Sequence, residues 1–484
     1  MSNPRQPSLL DAMIPIVVLV GLLASSVILF SDNSSYGPNQ IALLIAMGIA
    51  ALIGIKNGYS WREIEAGIVH GISLSLGAVL ILLAVGSLIG TWLLAGTVPT
   101  LIYYGLELLS PSVFYAASCL ICAIVAMSIG SSWTTAATVG VALMGVSNGM
   151  GMSEAVTAGA VVSGAYFGDK VSPLSETTNL APAVAGTELF EHIRYMLWTT
   201  IPSFVIALVL FLLIGLNASE QASMGKIQEM QQMLANNFNV GPLLLVPLIV
   251  LLVLAMRKVP AFPAVSIGAL LGGVWAVIFQ PELIAKLATE GREGWLANIT
   301  VVWHALYDGV SLDTGNPDMN DLLSGGGMSS MLNTIWLIMC ALSFGAVLEK
   351  TGLLKRAVST LLHGAKTAGG MVSRTILTCF GTNLISADQY MSIVMPGRMY
   401  KDEFAKRGLH QLNLSRSLED GGTITSPLIP WNTCGAYMHS VLKVDPLNYL
   451  FYAFFNLISP VLAIIYAYLG IKILRIPMPQ ENKA

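Results

Sequence analysis

Two polar runs interrupt an otherwise apolar sequence, and both are rich in oxygen-bearing side chains. The first is FGDKVSPLSETTNLAP, residues 167–182, and the second is EDGGTITSPLIPWNTCG, residues 419–435. Proline and glycine break helices, and exposed carbonyl groups at membrane depth are tolerated only around a protein-enclosed cavity. Aspartate, serine, threonine and asparagine supply the hard oxygen ligands that small cations prefer. The two runs therefore predict a site for an alkali cation such as Na⁺.

Four carboxyl groups are candidates for binding the ion and coupling it to protons: Asp169, Asp420, Glu176 and Asp388. An ionised carboxylate inside a bilayer costs about 2.5–3.5 kcal/mol on insertion scales, so an intramembrane acid indicates function. Burial favours the protonated form of such a group, whereas a bound cation favours the ionised form. Competition between a proton and Na⁺ for one carboxyl group is sufficient for antiport. Asp169 and Asp420 are the preferred candidates for that competition.

Neutral side chains near these acids are expected to complete the coordination of the ion. The predicted neutral ligands are Ser172, Ser175, Thr177, Thr178, Asn179, Asn383, Thr423, Thr425, Ser426 and Asn432. Within this group and the acids, a sodium site is expected to include Asp169, Asn179, Thr423 and Asn432. The competing interpretation is that both runs are ordinary surface loops whose Asp and Ser side chains cap the next helix.

A second pair of polar breaks is expected at the tips of re-entrant hairpins, where helix ends face the ion. In the first half of the chain these are Ser131, Ser132 and Thr134, which follow Gly130. In the second half they are Gly381-Thr382-Asn383 together with Asp388. Close helix packing at glycine is an alternative explanation for the first of the two.

The elements that position these residues are predicted to be membrane-spanning helices. Hydrophobic residues make up 55% of the 484-residue chain and charged residues only 11%, where a soluble domain carries about 25% charged residues. Apolar runs near the length needed to cross a bilayer recur along the chain, which predicts an all-α polytopic membrane protein with about 11 transmembrane helices.

The placement of basic residues predicts the orientation of the chain, because lysine and arginine in short loops mark the cytoplasmic side. Lys56 and Arg62 follow the second apolar run, and Arg257 and Lys258 lie in a later short loop. The stretch that holds Asp308, Asp313, Asp318 and Asp321 is predicted to be periplasmic. Both termini are therefore predicted to be cytoplasmic.

An internal duplication relates the two halves of the chain. Gly130 precedes Asp169 by 39 residues, and Gly381 precedes Asp420 by the same interval. The loops around the two halves carry opposite charge, which predicts inverted repeats, the usual plan of secondary transporters. The predicted organisation is a two-helix scaffold segment (1–65), a first repeat (66–216), a scaffold and periplasmic connection (217–330), a second repeat (331–474) and a cytoplasmic tail (475–484).

From about Ile41 to Leu469 the sequence resembles the NhaC-type sodium/proton antiporter family. The resemblance is carried by the run from Phe167 to Phe204, by SADQYMSIVMPGRMY and by SLEDGGTITSPLIPWNTCGAYM. It implies an elevator-type mechanism, in which a transport domain with two hairpins slides against a scaffold within a homodimer. It also implies a bacterial inner-membrane protein that exchanges cytoplasmic Na⁺ or Li⁺ for external protons, needs no cofactor and has no nucleic-acid partner.

Four other functions compete with this expectation. Proteins similar to this family also exchange malate and lactate, and an organic anion or amino acid would require a positive charge such as Lys170 or Arg398 near the site. An intramembrane aspartyl protease with Asp169 and Asp420 as its dyad is disfavoured by the hydroxyl-rich surroundings of these acids, and the absence of an H-E-x-x-H motif excludes a metalloprotease of that type. Broken helices in duplicated halves favour alternating access over a passive channel.

Overall fold

The described part of the chain is almost entirely α-helical. In a computed structural model, the only β-type pairing among the described residues consists of two isolated bridges, Val310 with Gly325 and Leu409 with Arg475. The structure describes residues 4–30, 34, 36–74, 76–218, 224–288, 294–313, 320, 323–362 and 367–476. Asp318 and Asp321 of the acidic stretch, and residues 477–484 of the predicted tail, lie outside these ranges.

The first half of the chain contributes eleven of the described helices. They are α1 (Leu9–Phe30), α2 (Pro38–Lys56), α3 (Trp61–Leu74), α4 (Leu76–Leu94), α5 (Thr97–Leu108), α6 (Phe114–Ile129), α7 (Ser132–Thr135), α8 (Val141–Met150), α9 (Glu154–Val171), α10 (Glu176–Ala185) and α11 (Leu189–Ala218). A π-helical turn at Ala136–Gly140 joins α7 to α8.

The connection and the second half contain the remaining described helices. They are α12 (Met224–Asn237), α13 (Val246–Met256), α14 (Ala261–Phe279), α15 (Pro281–Leu287), α16 (Trp295–Tyr307), α17 (Leu332–Lys350), α18 (Leu353–Leu362), α19 (Ala368–Ser386), α20 (Gln389–Lys406), α21 (Gln411–Leu418), α22 (Thr433–Leu442), α23 (Pro446–Tyr449) and α24 (Phe454–Leu469). A second π-helical turn, Glu419–Thr423, follows α21 directly.

Several of these helices have the length and apolar character of membrane spans. Six described helices are long and apolar enough to cross a bilayer, and the number rises to eight when two bent helix pairs are each taken as one span. One bent pair joins the segment 446–452 to α24 at an angle of 57°. The prediction of an all-helical polytopic membrane protein is confirmed at this level.

Helix breaks occur near the predicted polar tips in both halves. Gly130 has a φ of 75° and separates α6 from α7, and Ala387 has a φ of 57° and separates α19 from α20. The next residue caps the following helix in both cases, since Ser131 accepts a hydrogen bond from the Thr134 amide and Asp388 accepts one from the Met391 amide. Helix α19 continues through residues 381–383, so the second break lies six residues after Gly381.

The helix caps repeat with the same spacing in the two halves. Ser131 and Ser175 are both N-caps and lie 44 residues apart, and the N-caps Asp388 and Asn432 are separated by the same interval. This register pairs Gly130 with Ala387 rather than with Gly381. The order of helices and breaks around the two polar runs is therefore similar in the two halves.

Close packing of α9 against α6 places the first polar run beside the break at Gly130. A Cβ atom at Gly164 would overlap the carbonyl oxygen of Cys119, and one at Gly168 would overlap the carbonyl oxygen of Ala123. Only glycine permits this approach, as is common in membrane helix pairs. The end of α9 therefore reaches the start of α7, where Gly130 lies against the backbone of Leu174.

Replacing Gly164 by alanine is expected to force α6 and α9 apart. The resulting overpacking should lower the free energy of unfolding by about 1–3 kcal/mol. Gly381→Ala is the matched control, because nothing lies within 4 Å of a Cβ atom at that position. Thermal unfolding of both purified variants in detergent measures the difference, and equal melting temperatures would contradict the packing described for α6 and α9.

Candidate functional site

A polar cavity of about 610 Å³ lies where the first polar run meets the helix break after Gly130. Its walls come from α4, the segment 129–134, the α9–α10 loop with the start of α10, the end of α13, the start of α14 and the start of α20. It extends to Lys258 and Pro260, which are exposed in the loop between α13 and α14. The polar side chains among its lining residues are Ser131, Ser132, Thr134, Asp169, Ser175, Glu176, Thr177, Lys258, Asp388, Gln389, Tyr390 and Thr433.

Asp169 is a nearly buried acid on the cavity wall, with 7% of the residue exposed. The Ser132 hydroxyl donates a hydrogen bond of 2.7 Å to its Oδ2 atom, and the Ser132 backbone amide donates a second one of 3.2 Å to the same oxygen. Hydrogen bonds to a charged acceptor are about twice as strong as neutral ones. The carboxyl group is thus held by the residue that begins α7, at the helix break.

The loop between α9 and α10 is fixed by its own side chains. The Thr178 hydroxyl donates to the carbonyl oxygens of Asp169 and Lys170 at 3.1 and 3.0 Å. Asn179 donates to the carbonyl oxygens of Pro173 and Ser175 at 2.9 and 2.6 Å. These two side chains, and Ser172, are not among the described residues that line the cavity. They hold the backbone in place around Asp169.

Two further carboxyl groups line the cavity. Glu176, in the first turn of α10, is exposed and accepts a hydrogen bond from the Tyr390 hydroxyl. Asp388 is half-buried and caps α20 through the Met391 amide at 2.7 Å. Of the described lining residues, Lys258 alone is basic. The lining therefore combines three acids with one base, an arrangement that favours cations.

The predicted ligands of the second half form a separate polar cluster. Asn383 donates to the Gly422 carbonyl oxygen at 2.7 Å and to the Thr425 hydroxyl at 3.1 Å, and Asn432 donates to the Asn383 side-chain oxygen at 3.1 Å. The Ser426 hydroxyl donates to the Thr423 carbonyl oxygen at 2.7 Å. None of these residues is among the described lining of the cavity.

One side chain of the cavity wall connects the two polar regions. The Gln389 amide lies 3.5 Å from the Thr423 carbonyl oxygen, and its own oxygen accepts a contact of 3.1 Å from the Cys434 thiol. The Thr423 hydroxyl is buried and has no hydrogen-bond partner among the described residues. Gln389 therefore lies between the cavity and the second cluster.

Asp420 lies in a different environment from Asp169. It is fully buried in the π-helical turn after α21 and forms an ion pair with Lys170, which is also fully buried. The Ser459 hydroxyl donates to the same carboxylate oxygen at 2.9 Å and accepts from the Lys170 ammonium at 3.1 Å. The structure therefore joins the two halves of the chain through an acid and a base that are 250 positions apart.

The predicted site residues thus divide into four groups, one of which, Ser172, Thr178 and Asn179, braces the loop between α9 and α10. Asp169, Glu176, Asp388, Ser131, Ser132, Thr134, Ser175 and Thr177 share the cavity. Asn383, Thr423, Thr425, Ser426 and Asn432 belong to the second cluster, and Asp420 belongs to the ion pair. The four residues expected to form a sodium site are therefore spread over different surroundings, because Asn179 braces the loop while Thr423 and Asn432 lie in the second cluster.

Some residues at these sites were not selected by sequence reasoning. Tyr390 and Gln389 line the cavity, and Ser459 completes the ion pair. Glu419 is fully buried, and neither of its carboxylate oxygens has a hydrogen-bond partner among the described residues. The available signal for Ser459 was its position just before Pro460, which interrupts an apolar helix.

Sequence comparisons identify the family. The model of the Na⁺/H⁺ antiporter family matches residues 164–471, which is more than half of the chain. The Na⁺/H⁺ antiporter NhaC of Alkalihalophilus pseudofirmus is 37% identical, with 94% of this chain and 95% of that protein covered. The chain belongs to the Na⁺/H⁺ antiporter family.

Other proteins that resemble the chain carry different names. The malate-2H⁺/Na⁺-lactate antiporter of Bacillus subtilis is 38% identical and covers 97% of this chain and 96% of its own. The arginine/ornithine antiporter ArcD of Halobacterium salinarum is 36% identical and covers 97% and 93%. Proteins similar to this chain are thus named as exchangers of ions and as exchangers of organic solutes.

The buried ion pair of this antiporter generates a test of stability. Asp420→Asn leaves the Lys170 ammonium buried without its counter-charge, which should lower the free energy of unfolding by about 3–5 kcal/mol. The combined change Lys170→Met/Asp420→Asn removes both charges and should recover most of that loss. Thermal unfolding in detergent measures the effect.

The matched control for this test is Asp402→Asn, because Asp402 is exposed on α20. It should change the free energy of unfolding by less than about 0.5 kcal/mol. If Asp420→Asn is as stable as the Asp402→Asn control, the pair does not hold the two halves together.

Proposed function

We propose that the protein is a secondary active transporter that exchanges cytoplasmic Na⁺ or Li⁺ for external protons. The observation that carries the proposal is the nearly buried Asp169, which lines a polar cavity and accepts two hydrogen bonds from Ser132. Membership of the Na⁺/H⁺ antiporter family supports it. Na⁺ and protons are the cargo, and the exchange requires no cofactor.

In this proposal Asp169 binds either a proton or a cation. An ionised Asp169 attracts Na⁺, and hydroxyl groups on the same wall, those of Ser131, Thr134, Ser175 and Thr177, are available to replace water around the ion. Burial favours the protonated form of Asp169, whereas the Ser132 hydrogen bonds favour the ionised form, so the acid is suited to hold either a proton or a cation. Arrival of a proton at Asp169 neutralises the acid and releases the cation.

Glu176 and Asp388 act in the same cavity without being the exchange group. Glu176 is exposed and Asp388 is half-buried, so water screens their charges more than that of Asp169. Their negative charge raises the local concentration of cations at the cavity. We assign both residues to attracting the ion and Asp169 to the exchange itself.

The exchange would proceed by alternating access between two inverted repeats, residues 66–216 and 331–474. The repeated spacing of the helix caps in the two halves supports this organisation. Lys258 of the α13–α14 loop lies at the cavity, and the basic-loop rule assigns that loop to the cytoplasm. We propose that the described conformation opens to the cytoplasm, within an elevator-type homodimer of the bacterial inner membrane with both termini cytoplasmic.

The arrangement of Asp169 and Asp420 supports transport rather than hydrolysis. An aspartyl protease needs two acids that share one proton. Asp169 accepts hydrogen bonds from Ser132, whereas Asp420 is neutralised by Lys170. We therefore propose no catalytic role for Asp169 and Asp420.

An organic solute exchanged together with Na⁺ or protons is the second candidate cargo. The volume of about 610 Å³ is large for a single ion and falls within the range of small-molecule pockets. Lys170 and Arg398, the charges considered for an organic anion, are not among the described lining residues. The three acids of the lining favour a solute with an amino or guanidinium group over a dicarboxylate.

Asp169→Asn is expected to abolish cation/proton exchange, because the asparagine amide does not take up or release a proton at physiological pH. Proteoliposomes with an imposed pH gradient and a proton-sensitive dye measure the exchange when Na⁺ or Li⁺ is added. Asp402→Asn is the matched control on the exposed face of α20 and should retain exchange. Wild-type rates in Asp169→Asn would contradict the assignment.

The nature of the cargo is tested by adding arginine, ornithine, malate or lactate singly to the same proteoliposomes. Dissipation of the gradient by Na⁺ or Li⁺ alone is the expected result. If the gradient collapses only when one of the organic solutes is present, the second candidate replaces the first, and a response to arginine or ornithine rather than to malate would agree with the acidic lining.

A further inference from the structure

The carboxylate of Asp420 is already paired with a cationic side chain, that of Lys170. Asp420 and Lys170 are both completely buried and form an ion pair. The Ser459 hydroxyl contacts both partners, and the Thr199 hydroxyl lies 3.5 Å from the other carboxylate oxygen of Asp420. The surroundings of Asp420 therefore contain a carboxylate and two hydroxyl groups, with an ammonium group placed among them.

Lys170 and Asp169 are neighbours in the last turn of α9, yet their side chains contact different residues. Successive residues of a helix point about 100° apart. Asp169 accordingly faces the cavity and Ser132, while Lys170 points to a different side of α9 and reaches Asp420 and Ser459. Neither Lys170 nor Asp420 is among the described residues that line the cavity.

We propose that Lys170 is a tethered counter-cation that keeps Asp420 out of the ion exchange. This inference rests on the proposed function, in which Asp169 exchanges Na⁺ for protons. Lys170 is a specificity-determining residue in this account, because it decides how many carboxyl groups of the chain are open to Na⁺. Asp169 is left free to bind Na⁺, whereas Asp420 is always paired with Lys170.

The physical basis is that the Lys170 ammonium and a sodium ion carry the same charge and compete for the same oxygens. Na⁺ could bind Asp420 only by displacing the ammonium, and the displaced ammonium would remain buried without a counter-charge, which is strongly unfavourable. Because Lys170 is covalently attached to α9, its ammonium group has a high effective concentration at Asp420, which favours the ammonium over Na⁺ from solution.

Removal of the tethered cation should therefore create a second binding site. In Lys170→Met the carboxylate of Asp420 and the hydroxyls of Ser459 and Thr199 become available to Na⁺, which prefers oxygen ligands of this kind. The conservative change Lys170→Arg keeps a cation beside Asp420 and should not open the site. Glu419, the buried neighbour of Asp420, also loses the charge of Lys170 in Lys170→Met. An additional Na⁺ bound at Glu419 would persist in Lys170→Met/Asp420→Asn, whereas one bound at Asp420 would be lost.

The test is equilibrium binding of radioactive Na⁺ to the purified full-length protein in lipid nanodiscs. Wild type and Lys170→Arg should bind the same saturating amount per chain. Lys170→Met should bind one additional Na⁺ per chain, and Lys170→Met/Asp420→Asn should return to the wild-type amount. A role of the pair in stability alone would leave the amount bound by Lys170→Met unchanged.

Two results would overturn the inference. The first is a folded Lys170→Met protein that binds no more Na⁺ than wild type. The second is a Lys170→Met/Asp420→Asn protein that binds less than wild type, because Asp420 would then take part in the exchange. The second comparison remains decisive if Lys170→Met does not fold, since the double variant removes both charges of the ion pair.

Failure of the proposed function gives a different pattern. In that case Asp169→Asn binds as much Na⁺ as wild type, or wild type binds none, whatever the residue at position 170. Loss of binding in Asp169→Asn together with an unchanged amount in Lys170→Met rejects the role of Lys170 alone.

Discussion

The hydrogen bonds between Ser132 and Asp169 depend on how closely α9 runs against α6. Gly164 and Gly168 let α9 approach the carbonyl groups of α6, and this approach carries the end of α9 to the break at Gly130. The break in turn exposes the backbone amide of Ser132, which no helical carbonyl accepts, and the carboxyl group of Asp169 accepts it. One packing constraint therefore assembles the acid, its donors and the cavity wall.

The distribution of charge around α9 follows from the same geometry. Asp169 and Lys170 are consecutive residues, but the helix directs them to different sides, one toward the cavity and the other toward Asp420. A buried charge without a partner is expensive in a low-dielectric interior. Asp420 meets this requirement through Lys170, whereas Asp169 is satisfied by neutral donors and is left able to bind a mobile cation. In the proposed exchange, this difference separates Asp420, which is paired with Lys170, from Asp169, which takes the mobile cation.

Sequence reasoning succeeded where the signal is local. The composition identified a polytopic helical membrane protein. Of the run around Asp169, the structure places Asp169, Ser175, Glu176 and Thr177 at the cavity, but not Ser172, Thr178 and Asn179. The resemblance to the NhaC-type family is confirmed by the match to the Na⁺/H⁺ antiporter family.

Other features could not be read from spacing along the chain. Gly381 has the residue type of a helix break, but α19 continues beyond it because Asn383 is held by Gly422 and Thr425, and the left-handed residue is Ala387. The pairing of Lys170 with Asp420 joins residues from distant parts of the sequence, and its partner Ser459 comes from a third. These contacts arise from tertiary packing, which periodicity does not encode.

The central claim is that the carboxyl group of Asp169 exchanges its proton for Na⁺. Infrared difference spectroscopy of the protein in lipid, recorded as Na⁺ replaces an inert cation at constant pH, observes this step directly. The account predicts loss of a protonated-carboxyl band and gain of a carboxylate band in wild type, and the absence of both changes in Asp169→Asn. Persistence of the same difference signal in a folded Asp169→Asn protein would contradict the account.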